Sequence, residues 1–114
     1  MIILKQNRQL NETRTAKNIS TQELAQILSI TARCIDIVYR TGHFNLITKR
    51  EYGKCGGGNG SLFITTAKGM FGWTIAYKLN EIKAIEQINY GTDANEYKIT
   101  FNDKSSLNFV RIPN

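Results

Sequence analysis

Two arginines seven residues apart, Arg33 and Arg40, lie in the segment Ser20 to Arg40, STQELAQILSITARCIDIVYR. A guanidinium offers a planar fork of N–H donors that fits a guanine edge or a phosphate. On one outward helix face, Arg33 would reach a base and Arg40 a phosphate, with Thr31 beside them. Six more cations flank the segment: Arg8, Arg14 and Lys17 before it, and Lys49, Arg50 and Lys54 after it. These nine residues are the candidate nucleic-acid contacts. Other groupings support chemistry less well. Asp93, Glu96 and Lys98 are similar to the carboxylate, carboxylate, lysine set of metal-dependent nucleases, but Asp93 falls in a turn and too near the pair. His43 is the only histidine, so neither a metal site nor a Ser-His-Asp arrangement is supported. No cofactor is implied, and the reading is of a binding protein rather than an enzyme.

Those side chains must be positioned by local structure, and the segment has strong helix signals. Ser20 and Glu23 form a Ser-x-x-Glu capping box, and Ile19 and Leu24 stand where a hydrophobic staple packs. Leu24, Ile27 and Leu28 recur at helical spacing. Thr31 is placed to cap a second helix, in which Ile35, Val38 and Tyr39 share a face. Gly42 would end it. Ala25 in the first helix and Ser29 in the turn are the small residues that let two helices cross closely. On these residues the segment 20–40 resembles helix-turn-helix DNA-binding proteins, and the resemblance implies duplex DNA as partner. The alternative is a helical hairpin that only covers a sheet.

After Gly42 the pattern has period two. Phe44–Tyr52 and Ser61–Ala67 are candidate strands, joined by the glycine-rich loop Gly53–Gly60, GKCGGGNG. If the helical pair binds DNA, these strands form a wing with Lys49, Arg50 and Lys54 near its tip. The glycine run is no Walker loop, because Lys54 precedes it and no Gly-Lys-Ser/Thr follows. Phe71, Trp73, Ile75, Tyr77 and Leu79 alternate strictly, giving a core stripe or, less conservatively, a stacking surface for bases. Ile82–Tyr90 reads as a strand, and Tyr97–Phe101 with Leu107–Ile112 as a hairpin turning at Asn102–Ser106. Leu107–Ile112 would be an edge able to pair two copies, which leaves the oligomeric state open.

The strings FNLITKR (44–50), LNEIKAIE (79–86) and YKITFNDK (97–104) are similar to the strand succession of bacterial pleckstrin-homology-like domains. This second resemblance spans 44–112 and implies a platform for proteins or lipid head groups. Such domains close with a C-terminal helix, whereas here the last segment reads as strand, so helices at 20–41 would have to cover the sheet.

The 114 residues carry a formal charge of +6 with 41% hydrophobic residues, which fits a folded domain and a polyanionic partner. Residues 1–54 hold nine Lys/Arg against four acids, while 55–114 hold six against five, so the excess lies with the helices and the arm before them. All eleven aromatics fall at or after Tyr39, so the core belongs to the sheet. Cys34 and Cys55 are too few for a disulfide framework. The expected positions are a semi-buried Cys34 on a helix and an exposed Cys55 in the glycine loop. No membrane-spanning segment is evident, so a cytoplasmic protein without integral membrane association is expected. Richness in Asn, Lys and Ile matches an AT-rich genome, bacterial or phage. The expectation is therefore an α+β protein: a basic arm at 1–19 and one domain at 20–114, with a helical hairpin (20–41) on an antiparallel sheet of five or six strands (44–112). Its expected role is a non-catalytic, nucleic-acid-binding regulatory module. The alternative is a protein-interaction module, pleckstrin-like or a small phage-type inhibitor, docking on an acidic protein surface.

Overall fold

The computed structural model describes residues 15–66 and 72–113. They form one antiparallel sheet of nine strands and a single α-helix. The strands are β1 (Thr15–Asn18), β2 (Ala32–Arg40), β3 (Asn45–Ile47), β4 (Gly53–Gly58), β5 (Ser61–Thr66), β6 (Thr74–Lys78), β7 (Ile82–Asn89), β8 (Asn95–Phe101) and β9 (Ser106–Ile112). The helix, α1, spans Thr21–Leu28. In the sheet the order is β1-β7-β8-β9-β2-β4-β5-β6, with β3 also pairing β2. The expected helical pair on a sheet of five or six strands is thus corrected to a mostly β fold. The candidate strand Ile2–Leu4, with Arg8 and Arg14 of the basic arm, lies outside the described residues; Thr15–Asn18 of that arm is strand β1.

The first helix forms as its signals predict. The Ser20 hydroxyl accepts from the Glu23 N–H at 3.1 Å, and Leu24 and Leu28 are buried. The second helix does not form, because residues 32–40 are a strand. The physical reason is a bulge. Ala32 and Cys34 point into the core, but the register with β9 shifts between Ile35 and Val38, and Ile37 then takes the inward place. Inward positions 32, 34, 37 and 39 have uneven spacing that imitates a helical face, while the β-branched Ile35, Ile37 and Val38 suit a strand. Asp36 occupies the bulge with φ +52°.

The glycine run is likewise strand, not loop. Gly53–Gly58 pairs with both β2 and β5. The turn is only Asn59-Gly60, between the paired Gly58 and Ser61. Both residues have positive φ, +54° and +76°, the two-residue hairpin conformation that Asn-Gly favours. Gly53 is required by close approach: a Cβ there would lie 2.5 Å from the Thr65 carbonyl oxygen and 2.9 Å from Ile37 Cδ1.

Leu107–Ile112, expected at an edge, lies inside the sheet between β8 and β2. β6 is five places from β8 in strand order, yet the Tyr77 ring stacks on Phe101 with centroids 3.6 Å apart. The Tyr77 hydroxyl also meets Ser105 Oγ at 2.6 Å. The sheet therefore rolls until its β6 margin comes back over the β8–β9 turn. Its inner face encloses one core, including Leu24, Leu28, Ile37, Leu62, Ile64, Ile99, Phe101, Leu107 and Phe109. Each fully buried aliphatic or aromatic side chain contributes about 1.5–3 kcal/mol relative to exposure. Helix α1 closes this core against β4, β5 and the 3-10 turn at Leu79–Glu81. Ala25 and Ser29 line a cavity of about 220 Å³ facing Gly57–Ser61 and Leu79, so the glycine hairpin meets them where a second helix was expected. No helix among the described residues is long and apolar enough to cross a membrane.

Candidate nucleic-acid interface

The outer face of the rolled sheet carries the basic residues. Arg33 and Lys54 are register partners on β2 and β4, both exposed. The Arg33 guanidinium carbon sits 5.4 Å from the centre of the Tyr52 ring. Tyr52 is 56% exposed, so this ring is a surface stacking platform rather than core. Arg40, at the far end of β2, shares the outer face with Arg33, because the bulge restores the phase over a separation of seven residues. Lys49 and Arg50 lie exposed in the connection between β3 and β4. Five of the nine expected contacts thus gather on β2 and its neighbours. Thr31 sits just ahead of β2, exposed, near Gly56. Lys17 does not join them: it is on β1 at the opposite margin, paired with Gln87 of β7.

The bulge shapes a groove on the same face. Asp36 Oδ1 accepts the Arg50 N–H at 2.9 Å, and Arg50 itself has φ +60°. Thr48 is buried beneath; its hydroxyl accepts the Ile37 N–H at 3.0 Å and its N–H donates to the Ile37 carbonyl at 2.8 Å. Two non-glycine residues held in the left-handed region within one hydrogen-bonded unit mark a locally strained backbone. Along the same outer row, Ile35, Val110 and Glu96 are cross-strand neighbours. Ile35, Asp36, Arg50, Tyr90, Glu96 and Val110 line a groove of about 420 Å³. The Tyr90 hydroxyl donates to Glu96 Oε1 at 2.5 Å.

The thiols lie elsewhere. Cys34 and Cys55 are both fully buried on adjacent strands, correcting the semi-buried helical Cys34 and the exposed loop Cys55. The neighbouring Cys55 thiol, with burial, pushes the Cys34 thiol well up. The neighbouring Cys34 thiol, with the nearby Arg111 guanidinium, lowers Cys55. Trp73 also departs from expectation. It is 53% exposed, outside the core stripe, with its ring centroid 5.2 Å from that of Phe44. In the same stripe Ile75 is buried and Tyr77 half-buried, while Phe71 lies outside the described residues. Burial is the main cause that raises the Tyr77 phenol. Among the described residues no cluster of three or more His, Cys, Asp or Glu side chains converges as a metal site would require.

Tyr52, Tyr90 and Glu96 are the residues that the sequence did not nominate as contacts. Tyr52 had one signal, a tyrosine between Lys49-Arg50 and Lys54. Tyr90 had none, and Glu96 stood out only in the grouping with Asp93 and Lys98, since only sheet order brings β8 near the β2 bulge. Comparison of the chain with protein-family models, with curated proteins and with solved structures finds no match.

Proposed function

We propose that this chain is a small, basic, non-catalytic nucleic-acid-binding protein that holds its ligand on the outer face of β2 and β4. The observation that carries the reading is the side-by-side placement of Arg33 and Lys54 with Tyr52 stacked on the guanidinium. Cations beside an exposed ring serve backbone phosphates and a base at once, the combination that single strands need. Arg50, Lys49 and Arg40 extend the charge along the same region. Duplex DNA, the partner implied by the helix-turn-helix resemblance, is the direct competitor in the test. Labelled single strands and duplexes of equal length are titrated by anisotropy at several salt concentrations. Affinity is expected to fall steeply with salt, and replacing both Arg33 and Lys54 by Ala should flatten the log–log slope by about 1–2. Binding that ignores salt, or survives the double substitution unchanged, rejects the reading.

The second reading, an interaction module for an acidic protein surface, rests on the exposed Phe44–Trp73 pair and on Ile47, which is 50% exposed. Rings of this kind anchor protein interfaces. A complex that persists after nuclease treatment and is lost in Trp73→Ala favours it; a complex dissolved by nuclease counts against it.

A further inference from the structure

We propose that the groove beside the β2 bulge is a pocket for a single unstacked base carrying an exocyclic amino group. This rests on the basic-face reading and adds a base preference to it. The groove lies on the same face as Arg33, two residues along β2 at Ile35. Its volume of about 420 Å³ falls in the range of small-ligand sites, about 300–1,000 Å³. Ile35 and Val110, neighbours across β2 and β9, give it an apolar floor for a ring. Its charges are divided. The Arg50 side chain at the rim suits a phosphate, and the carboxylates of Asp36 and Glu96 accept hydrogen bonds only.

The carboxylates are held in place. Asp36 is fixed by the Arg50 N–H, and Glu96 Oε1 by the Tyr90 hydroxyl. Among the described residues the hydrogen bond to Glu96 is made at Oε1, and Glu96 lines the groove, so its carboxylate has acceptor capacity left for a base there. An ionised carboxylate accepts from the amino group of cytosine but meets a carbonyl at the same ring position of thymine. Cytosine and thymine are both pyrimidines, so this pair tests chemistry with ring size held nearly constant.

The experiment uses the full chain with labelled oligo-dC and oligo-dT of equal length at one low salt concentration. Oligo-dC is expected to bind about tenfold tighter, the equivalent of 1.4 kcal/mol. Glu96→Gln should shrink this ratio toward one, because the amide can turn a donor to the thymine carbonyl. Val110→Trp, which fills the groove, should abolish the preference. Circular dichroism melts establish that both variants fold. If either is unfolded, Asp36→Asn, which tolerates the left-handed backbone, supplies the same comparison and should also narrow the ratio. Equal binding of both oligomers by the natural protein overturns the pocket while leaving the basic face standing. A preference that persists in the folded variants also overturns it. No binding of either oligomer overturns the basic face, and the pocket with it.

Discussion

The strands on the two sides of β9 follow different rules. On one side β7, β8 and β9 form a meander in which β8 and β9 pair without a break from Asn95↔Arg111 to Thr100↔Ser106. On the other side β2 is broken at Asp36, and its outer margin is shared, β4 pairing residues 32–34 and β3 pairing 38–40. The regular side carries core: Tyr97, Ile99, Phe101, Leu107 and Phe109 are all buried. The broken side carries the strained Asp36 and Arg50, the clustered cations and one wall of the groove, whose other wall is Tyr90, Glu96 and Val110. Both sides fill the inside, Ile37, Leu62 and Ile64 included, and the interruption at Asp36 creates the concavity outside.

If that division is right, the largest effect comes from the regular side. Phe109→Ala removes a fully buried ring packed 5.5 Å from Tyr97 and should cost about 3–5 kcal/mol in urea unfolding. A smaller loss is expected from Thr48→Val, which leaves the buried Ile37 N–H without its side-chain acceptor, at about 1–3 kcal/mol. Thr48→Ser should recover most of it. Hydrogen exchange would sharpen the contrast: Thr48→Val is expected to speed exchange at the bulge more than in β8. Equal acceleration in both would mean that the two sides open as one unit. Ser20→Ala, losing the helix cap, should cost about 1 kcal/mol by thermal melting.

The smallest effect at neutral pH is expected from Tyr97→Phe, whose consequence is confined to alkali. Burial raises the Tyr97 phenol above its ordinary value near 10. Above about pH 10 the unfolded chain releases this proton while the folded one keeps it, so stability falls as pH rises through the folded value. Urea midpoints measured from pH 8 to 11 should therefore decline in the natural protein and decline less in Tyr97→Phe. Equal slopes would remove Tyr97 as the cause.

The regular side was legible in the sequence, as were the strands at Ser61–Thr66 and Thr74–Lys78, but β2 and β4 on the broken side were not. Tyr97, Ile99 and Phe101 alternate cleanly, and the hairpin to Leu107–Ile112 forms with its turn at Asn102–Ser105. Ile82–Asn89 is a strand as expected despite its three-residue repeat. The helix cap at Ser20 was equally readable, because capping is a local interaction. Residues 32–40 misled because one extra residue at Asp36 changes the period of the inward side chains. The glycine run misled because its composition suggests a loop, whereas its glycines make room for Ile37 on β2 and for Phe63 across the hairpin. Asn59-Gly60 was the overlooked local signal, marking a hairpin turn with strands close on each side. In the candidate interface, the charges of Arg33, Arg40, Lys49, Arg50 and Lys54 were readable as a group, but their shared face depended on strand pairing. Glu96 could not be paired with them without knowing that β8 and β2 flank β9.

The position of β9 also sets an order of events during synthesis. It is the last described strand to be made, and it alone joins β8 to β2 in the sheet. Until residues 106–112 leave the ribosome, the β7–β8 hairpin and the β2–β4–β5–β6 group have no strand between them. β2 must wait for a partner roughly seventy residues downstream, with Val110 meeting Ile35. Pairing at such separation is slow compared with hairpin closure. The nascent chain therefore exposes two unpaired strand margins, on β8 and β2, until the final strand arrives. That interval is when this protein is most open to aggregation, or to a chaperone that binds extended backbone.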